Sequence, residues 1–402
     1  MTGQFEMVAT LALGKKTEKF NPYEEKEFNS GWVNRSLKFS AIAGTSRHML
    51  EVRGGCWKDG HGDVLTFGKS STDDSGNKVK GEKLTIKWKD RNKKELIANV
   101  AEFKKFVIDV EKPGRRKILE NMVKKFEEGN VTDEDVQQSG VSTLAEAQEA
   151  LEKSNARRRE FITAWDFAET LNKVLNNESY KNTKFLVKGD IETTESKGKF
   201  YTHFNVTRVY RAADDAETYA HGVVTLCFNS KSLDDGSIVD KHRYYVNGYT
   251  FNYDWRRKGN IPCSVTLTIP ISEDEKAQKL ANLLVKNFTV SKADGRLWKE
   301  LGIKVNLING AEVMEFSEDM LSENEKELLM MGEISTEDLI REHGGKVYGD
   351  RIQEWQVIGF AKGWLSGAKA TTYADEDFVL KEIEEEPEEV TDIFDEDDED
   401  SI

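Results

Sequence analysis

Between Tyr244 and Lys258 the chain reads Tyr-Tyr-Val-Asn-Gly-Tyr-Thr-Phe-Asn-Tyr-Asp-Trp-Arg-Arg-Lys, aromatic side chains running straight into three cations. As an extended strand this segment sets Tyr245, Tyr249, Phe251, Tyr253 and Trp255 on one face. Arg256, Arg257 and Lys258 follow at once. Aromatic faces stack planar rings and cations neutralise anions, so the chemistry on offer is stacking combined with anion binding. The same parity would also serve as the inside of a barrel. Tyr and Trp fill cores less readily than Ile or Leu because their polar atoms need partners, and both readings stay open.

Two other segments repeat the pattern. Phe200, Thr202, Phe204 and Val206 share one parity, while Tyr201, His203, Asn205, Thr207 and Arg211 share the other, a set suited either to bases and phosphates or to plain solvation. Lys83, Lys87, Lys89, Arg91, Lys93 and Lys94 form the densest basic strip. Trp32, Arg35, Lys38, Arg47, Arg53, Trp57 and Lys58 add aromatics interleaved with cations. Lysines on strands also guard edges against aggregation, which is the competing explanation for the strip.

Catalytic signatures are absent. The sequence has no Walker motif, dinucleotide fingerprint, His-Glu-x-x-His or Cys-x-x-Cys. Six scattered histidines lack metal-ligand spacing, and Cys56, Cys227 and Cys263 are too few and too far apart for a disulfide framework. We therefore expect no catalytic residue, no metal and no cofactor. No apolar run approaches the roughly 18 residues of a membrane span, and the N-terminus lacks a signal-peptide pattern. A cytoplasmic protein is expected, in the host cytoplasm if a phage encodes it.

Charge is distributed unevenly. Asp375 to Ile402 holds 16 acidic residues against one Lys, a net of −15, which equals the net charge of all 402 residues. The 374 residues before it balance to zero, and within them the first 125 carry 26 basic against 17 acidic side chains, a net of +9. So acidic a segment cannot offset the entropy of ordering by burial and is expected to be a solvated tail. Ile393, Phe394 and Ile402 set apolar anchors among its carboxylates, as a docking peptide requires.

Elements that would position these residues follow from periodicity. Residues 1–112 read as short strands separated by glycine turns, the clearest being Lys83 to Lys89, with Leu84, Ile86 and Trp88 inward and the lysines outward. Residues 113–182 read as a helical connector, with Thr143 to Glu146 a capping box and Asn130 to Val141 a loop. Strands return over 183–316, including a hairpin around Ser196-Lys197-Gly198 and a strand pair over Lys304 to Phe316 turning at Asn309-Gly310. Residues 317–374 form a small region of two short helices, the second from Ser335 to His343, and a last strand; 375–402 is the acidic tail. Each strand-rich segment has the element count of an oligonucleotide/oligosaccharide-binding (OB) barrel. The expected fold is mainly β with helical connectors (α+β): two OB-like barrels, a small helical C-terminal region and a disordered acidic tail.

On its basic, aromatic-lined strands and on Ile393, Phe394 and Ile402 within the acidic tail, the chain resembles phage-type single-stranded DNA-binding proteins. The resemblance implies a protein that coats and protects single-stranded DNA during replication and recombination, with a tail that recruits partner proteins and competes with DNA for the basic groove. Relatives in bacteria close with Pro-Phe, whereas this chain closes with Asp400-Ser401-Ile402, and the zinc ribbon of some members is missing. Expected DNA contacts are Trp32, Arg35, Lys38, Arg53, Trp57, Lys83, Lys87, Lys89, Arg91, Tyr201, His203, Arg211, Tyr249, Tyr253, Trp255, Arg256, Arg257 and Lys258. Expected partner contacts are Ile393, Phe394 and Ile402. RNA is an alternative ligand, because stacking barely distinguishes the sugars. A protein-interaction or virion-assembly module without nucleic-acid affinity is a rival reading, as is a strand-annealing protein or a metal-dependent nuclease.

Overall fold

The computed structural model describes residues 3–72, 78–234, 243–271, 274–291, 297–314, 322–335 and 347–383. Its N-terminal strands are β1 (Gly3–Leu13), β2 (Tyr23–Glu27), β3 (Trp32–Ala43), β4 (Ser46–Trp57), β5 (Asp63–Phe67), β6 (Ser71–Thr72), β7 (Lys78–Val79), β8 (Lys83–Lys87) and β9 (Phe106–Asp109). Helix α1 (Lys94–Asn99) lies between β8 and β9, and α2 (Arg115–Glu128), α3 (Asp133–Ser139), α4 (Leu144–Ala156) and α5 (Ala164–Leu175) follow β9, with β10 (Arg158–Phe161) between the last two. The remaining strands are β11 (Lys184–Ser196), β12 (Lys199–Arg211), β13 (Tyr219–Phe228), β14 (Leu233–Asp234), β15 (Arg243–Asp254), β16 (Gly259–Pro270), β17 (Lys299–Met314), β18 (Val347–Phe360) and β19 (Lys369–Ala370). Helix α6 (Glu275–Phe288) separates β16 from β17, and α7 (Glu323–Met330) precedes β18.

The expectation of two OB-like barrels beside a helical region is overturned. Among the described residues, fifteen strands make one mixed sheet, running β10-β9-β12-β11-β1-β13-β15-β16-β18-β17-β4-β3-β2, with β14 on β15 and β19 on β17. Strands from both sequence segments interleave in it. β1 lies between β11, eight residue pairs in register from Gly3↔Ile191, and β13. Further pairings β12–β4, β1–β3 and β13–β17 draw the sheet back on itself. The physical reason is in the burial pattern. β1 buries Phe5, Met7 and Ala9, β11 buries Phe185, Val187 and Ile191, and β13 buries Ala220, Val224 and Leu226, and these apolar sides form one continuous core with Leu37, Phe39, Leu301 and Val305. Each fully buried Leu or Phe contributes about 1.5–3 kcal/mol, so sharing one core outweighs closing two small ones. α5 adds Phe167, Ala168 and Leu171 to that core, and α6 adds Ala281, Leu284 and Phe288.

Local signals fare differently. Thr143 and Glu146 do form a reciprocal capping box at the start of α4, and Ser322 with Glu325 does the same for α7. The hairpin turn falls at Lys197 (φ 50°) and Gly198 (φ 79°), the left-handed pair a two-residue turn needs. Asn130 to Val141 is not a plain loop. It holds α3, opened by a capping box of Thr132 and Asp135, a variant with Asp in place of the usual Glu. Nor does the chain turn at Asn309-Gly310, because β17 runs through it, pairing with β18. Gly310 serves a close approach instead: a Cβ there would lie 2.1 Å from the Thr45 carbonyl oxygen, where β17 meets β4 at Ser46. The expected helix from Ser335 to His343 lies outside the described residues apart from Ser335 itself.

Candidate nucleic-acid interface

The open ends of β3 and β4 build an aromatic surface. Register places Trp32 opposite Trp57, and their rings meet edge to face at 5.4 Å and 84°. His61 stacks on Trp57 at 4.8 Å and 21°, its position fixed by hydrogen bonding to Asp59. Gly55 makes room for Trp32, since a Cβ would fall 2.3 Å from that ring. The loop after Trp57 also meets Trp88: a Cβ at Gly60 would lie 3.6 Å from its ring, and the Trp88 amide donates to the Gly62 carbonyl at 3.3 Å.

Cations border these rings. β8 turns Ile86 inward against Ile97, Val100 and Ile162 and leaves Lys83, Thr85 and Lys87 exposed, as the alternation anticipates. Lys89 is exposed one turn further on. Lys58 pairs with Glu27 at 2.6 Å and Lys87 with Asp63 at 3.0 Å. Both pairs are solvent-exposed, a setting in which an ion pair contributes about 0–1 kcal/mol and separates easily.

Other expected contacts are engaged within the protein. Arg35 is only 7% exposed. Its guanidinium lies 3.7 Å from the Trp165 ring and pairs with Glu25 and Glu169 at 2.8 and 3.2 Å, fastening α5 to β3. Arg91 grips Asp166 through two bonds, at 2.8 and 3.0 Å. Arg53 pairs with Glu51 at 2.8 Å, and Lys38 stands opposite Glu51 in the β3–β4 register. His203 bridges two strands: Nδ1 lies 3.0 Å from Glu51 Oε1, and Nε2 lies 3.0 Å from Thr194 Oγ1. Burial would raise the Glu51 carboxyl, but His203 and the cations around it hold it below its ordinary value. Arg211 reaches Asp214 at 3.3 Å. Tyr201 is exposed on β12.

The aromatic strand β15 faces outward on its odd-numbered side, since Val246, Gly248, Asn252 and Asp254 are the buried residues. That outer side is covered by the chain itself. Phe378, from a short 3-10 turn at Asp375–Phe378, stacks on Trp298 with centroids 3.6 Å apart and touches Tyr249 and Phe251 at 5.1 and 5.4 Å. Tyr373 stacks on Phe251 at 4.7 Å. Trp298 Nε1 donates to Asp375 at 2.8 Å, and Arg257 Nε donates to the Lys381 carbonyl at 2.7 Å. Tyr253 and Trp255 remain exposed. Arg257 is paired with Asp254 and Glu195 at 2.5 and 2.9 Å, and Arg256 joins the same two carboxylates. Burial works against the Asp254 anion, yet bonds from Arg257 and Arg256 hold its carboxyl below the usual range. Lys258 sits in the following turn with φ 51°. Ile393, Phe394 and Ile402 lie outside the described residues.

A polar row on the outer face of the sheet was invisible in the sequence. Register aligns Arg208, Lys188, Glu6, His221 and Asn306 across β12, β11, β1, β13 and β17. Lys188 pairs with Glu6 at 2.5 Å, Tyr219 donates to Glu6 at 2.6 Å and stacks on His221 at 4.5 Å. Burial together with that bond pushes the Tyr219 hydroxyl up to about 12, while burial and nearby Lys304 push His221 down. Beside it is a recess of about 360 Å³ lined by Ser46, Thr218, Tyr219, His221 and Asn306 among others. Alternation in each strand marks these side chains as outward, but only the strand order brings them together.

Among the described residues no helix is long and apolar enough to cross a membrane. No family model matches the sequence, and no curated protein matches it. Among solved structures, the chain is similar to a deletion mutant of the single-stranded DNA binding protein from Thermus aquaticus. The two share 10% identity, the alignment covers 80% of this chain and 97% of that one, and the TM-score is 0.26. Overlap at that level carries no argument about fold or function.

Proposed function

We propose that the protein binds single-stranded DNA and performs no chemistry on it. The observation that carries this reading is the cluster of half-buried Trp32, Trp57 and Trp88 with exposed His61, bordered by exposed Lys58, Lys83, Lys87 and Lys89. Base stacking on aromatic side chains contributes about 1–3 kcal/mol per base without regard to sequence, and lysines displace counterions from phosphates. Bound in many copies, such a protein coats and protects DNA during replication or recombination. Its acidic tail, with Ile393, Phe394 and Ile402 as anchors, would recruit the proteins that act there.

Fluorescence anisotropy of a labelled oligo-dT tests the reading, with the full chain and a version ending at Ile383, which keeps the Phe378 cover in place. Binding by the full chain that weakens steeply with salt is expected. The shortened chain, relieved of 12 net negative charges, binds more tightly, and its advantage shrinks as salt screens the tail. Absence of binding by both at low salt would sink the proposal.

A further inference from the structure

One exposed apolar surface is left unexplained by the stacking platform. β5 and β8 form a two-stranded ribbon outside the main sheet. Its inner side, Val64, Leu84 and Ile86, packs into a small core of its own. Its outer side aligns Asp63, Leu65 and Phe67 with Lys87, Thr85 and Lys83. Leu65 is 79% exposed and nearby Phe103 is 70% exposed. The Lys104 ammonium lies 5.7 Å from both the Phe67 and the Phe103 ring, which gathers the two phenylalanines around one cation. The Phe67 carbonyl accepts from the Ala101 amide at 2.8 Å, tying the turn that carries Phe103 to the ribbon.

We propose that this ridge, Leu65, Phe67 and Phe103 with Lys83, Lys87 and Lys104, is a second base-contacting site for the same nucleic-acid strand. The inference rests on the reading of the protein as a single-strand binder and extends it to residues outside the tryptophan surface. Charge complementarity selects the occupant. Lys83, Lys87 and Lys104 lie among these apolar side chains, and among the described residues the carboxylates beside them, Asp63 and Glu102, are already paired with Lys87 and Lys105. A polyanion whose apolar faces alternate with phosphates fits that arrangement, whereas an apolar protein helix would leave the ammonium groups facing no anion. Continuity supports it as well. The ribbon starts at Asp63, directly after the loop that packs on Trp57, and ends at Lys87, directly before Trp88. A strand leaving the tryptophan surface therefore runs onto a five-residue ribbon about 16 Å long. Apolar side chains on such a path pack against or between bases.

The test compares wild type with a Leu65→Ala/Phe103→Ala variant of the full chain. Both positions are solvent-exposed, and an unchanged thermal melt verifies the fold. Each protein is titrated against labelled oligo-dT and against an abasic oligomer of the same length. The variant is expected to bind oligo-dT about tenfold more weakly, the loss of one stacked base, and to match wild type on the abasic strand. Equal affinity of the two proteins for oligo-dT overturns the ridge, as does an equal loss on both oligomers, which would assign it to phosphate positioning alone. In both of those cases wild type still binds, so single-strand binding survives. Failure of wild type itself to bind oligo-dT overturns both proposals.

Discussion

Two surfaces of this molecule are rich in aromatic side chains, and they are built to different ends. The outer face of β15 has the greater aromatic density in sequence, yet Phe378 and Tyr373 cover Tyr249 and Phe251, and Arg256 and Arg257 are neutralised by Glu195 and Asp254. The N-terminal surface has fewer rings, but its lysines lie in solvent, held only by exposed, easily separated pairs. The difference is one of carboxylates. An aromatic and cationic strand becomes internal structure where acids converge on its cations, and stays available to a ligand where they do not.

The sharpest way to break this comparison is to remove a cation from the covered side. Arg257 is 8% exposed and its partners Asp254 and Glu195 are each 6% exposed in their side chains. Arg257→Met leaves two buried carboxylates short of their counter-charge, and loss of one partner of a buried pair costs about 3–5 kcal/mol. Urea denaturation should show a loss of that size. A phosphate-binding arginine would instead cost affinity and leave stability nearly untouched, so a stable variant with weakened oligo-dT binding would reverse the assignment of roles.

Acid should act first on the core at the Ser46 end of β4, where His48 packs against Phe204. His48 on β4 is 3% exposed, its Nε2 has no partner among the described residues, and burial pushes its pKa down from 6.5 to about 4. A depressed folded-state pKa means the neutral ring contributes stability above pH 6.5, and that contribution disappears as pH falls toward 4. Its full extent is about 3 kcal/mol at 1.36 kcal/mol per unit. Asp254 on the other side is held below its ordinary value and loses its contribution at lower pH still. Urea midpoints measured from pH 7 down to 4.5 should fall for wild type. They should fall less for His48→Asn. Parallel slopes for the two proteins would remove His48 from this role.

Phe378→Ala probes the cover directly. The ring is half-buried, so the loss in stability should be about 1–2 kcal/mol, and uncovering Trp298 should shift tryptophan emission to the red. Affinity for oligo-dT should stay unchanged, because the cations nearest that face remain paired. Tighter binding by this variant would mean that β15 is a stacking platform held shut, and the contrast between the two surfaces would become one of regulation.

Much of this was legible in the sequence wherever the deciding interaction is local. The outward lysines of β8, the capping box at Thr143 and the turn at Lys197-Gly198 each depend on residues within a few positions of one another. Even the shared parity of Tyr245, Tyr249, Phe251 and Tyr253 is a local property, though which face of β15 meets solvent is not. What stayed hidden involves distant partners. Arg35 reads as an available cation until Glu169, 134 residues away, closes on it. Gly310 reads as a turn until Thr45 passes over it. The expectation of two barrels failed for the same reason, because alternation states that a strand has an apolar side but not which strand lies next to it.

The smallest structural effect carries the most information about function. Lys83, Lys87 and Lys89 stand exposed on and just after β8, so replacing all three with Ala should alter stability by no more than about 0.5 kcal/mol. On single strands each phosphate contact contributes roughly 0.7 to the slope of log affinity against log salt. Loss of three contacts should therefore flatten the slope by about 2 and weaken binding at low salt most. A variant with wild-type slope would show that these lysines protect the exposed edges of the ribbon and do not touch the ligand. The N-terminal surface would then be left with rings but no anchoring charge, and the distinction drawn between it and β15 would fail.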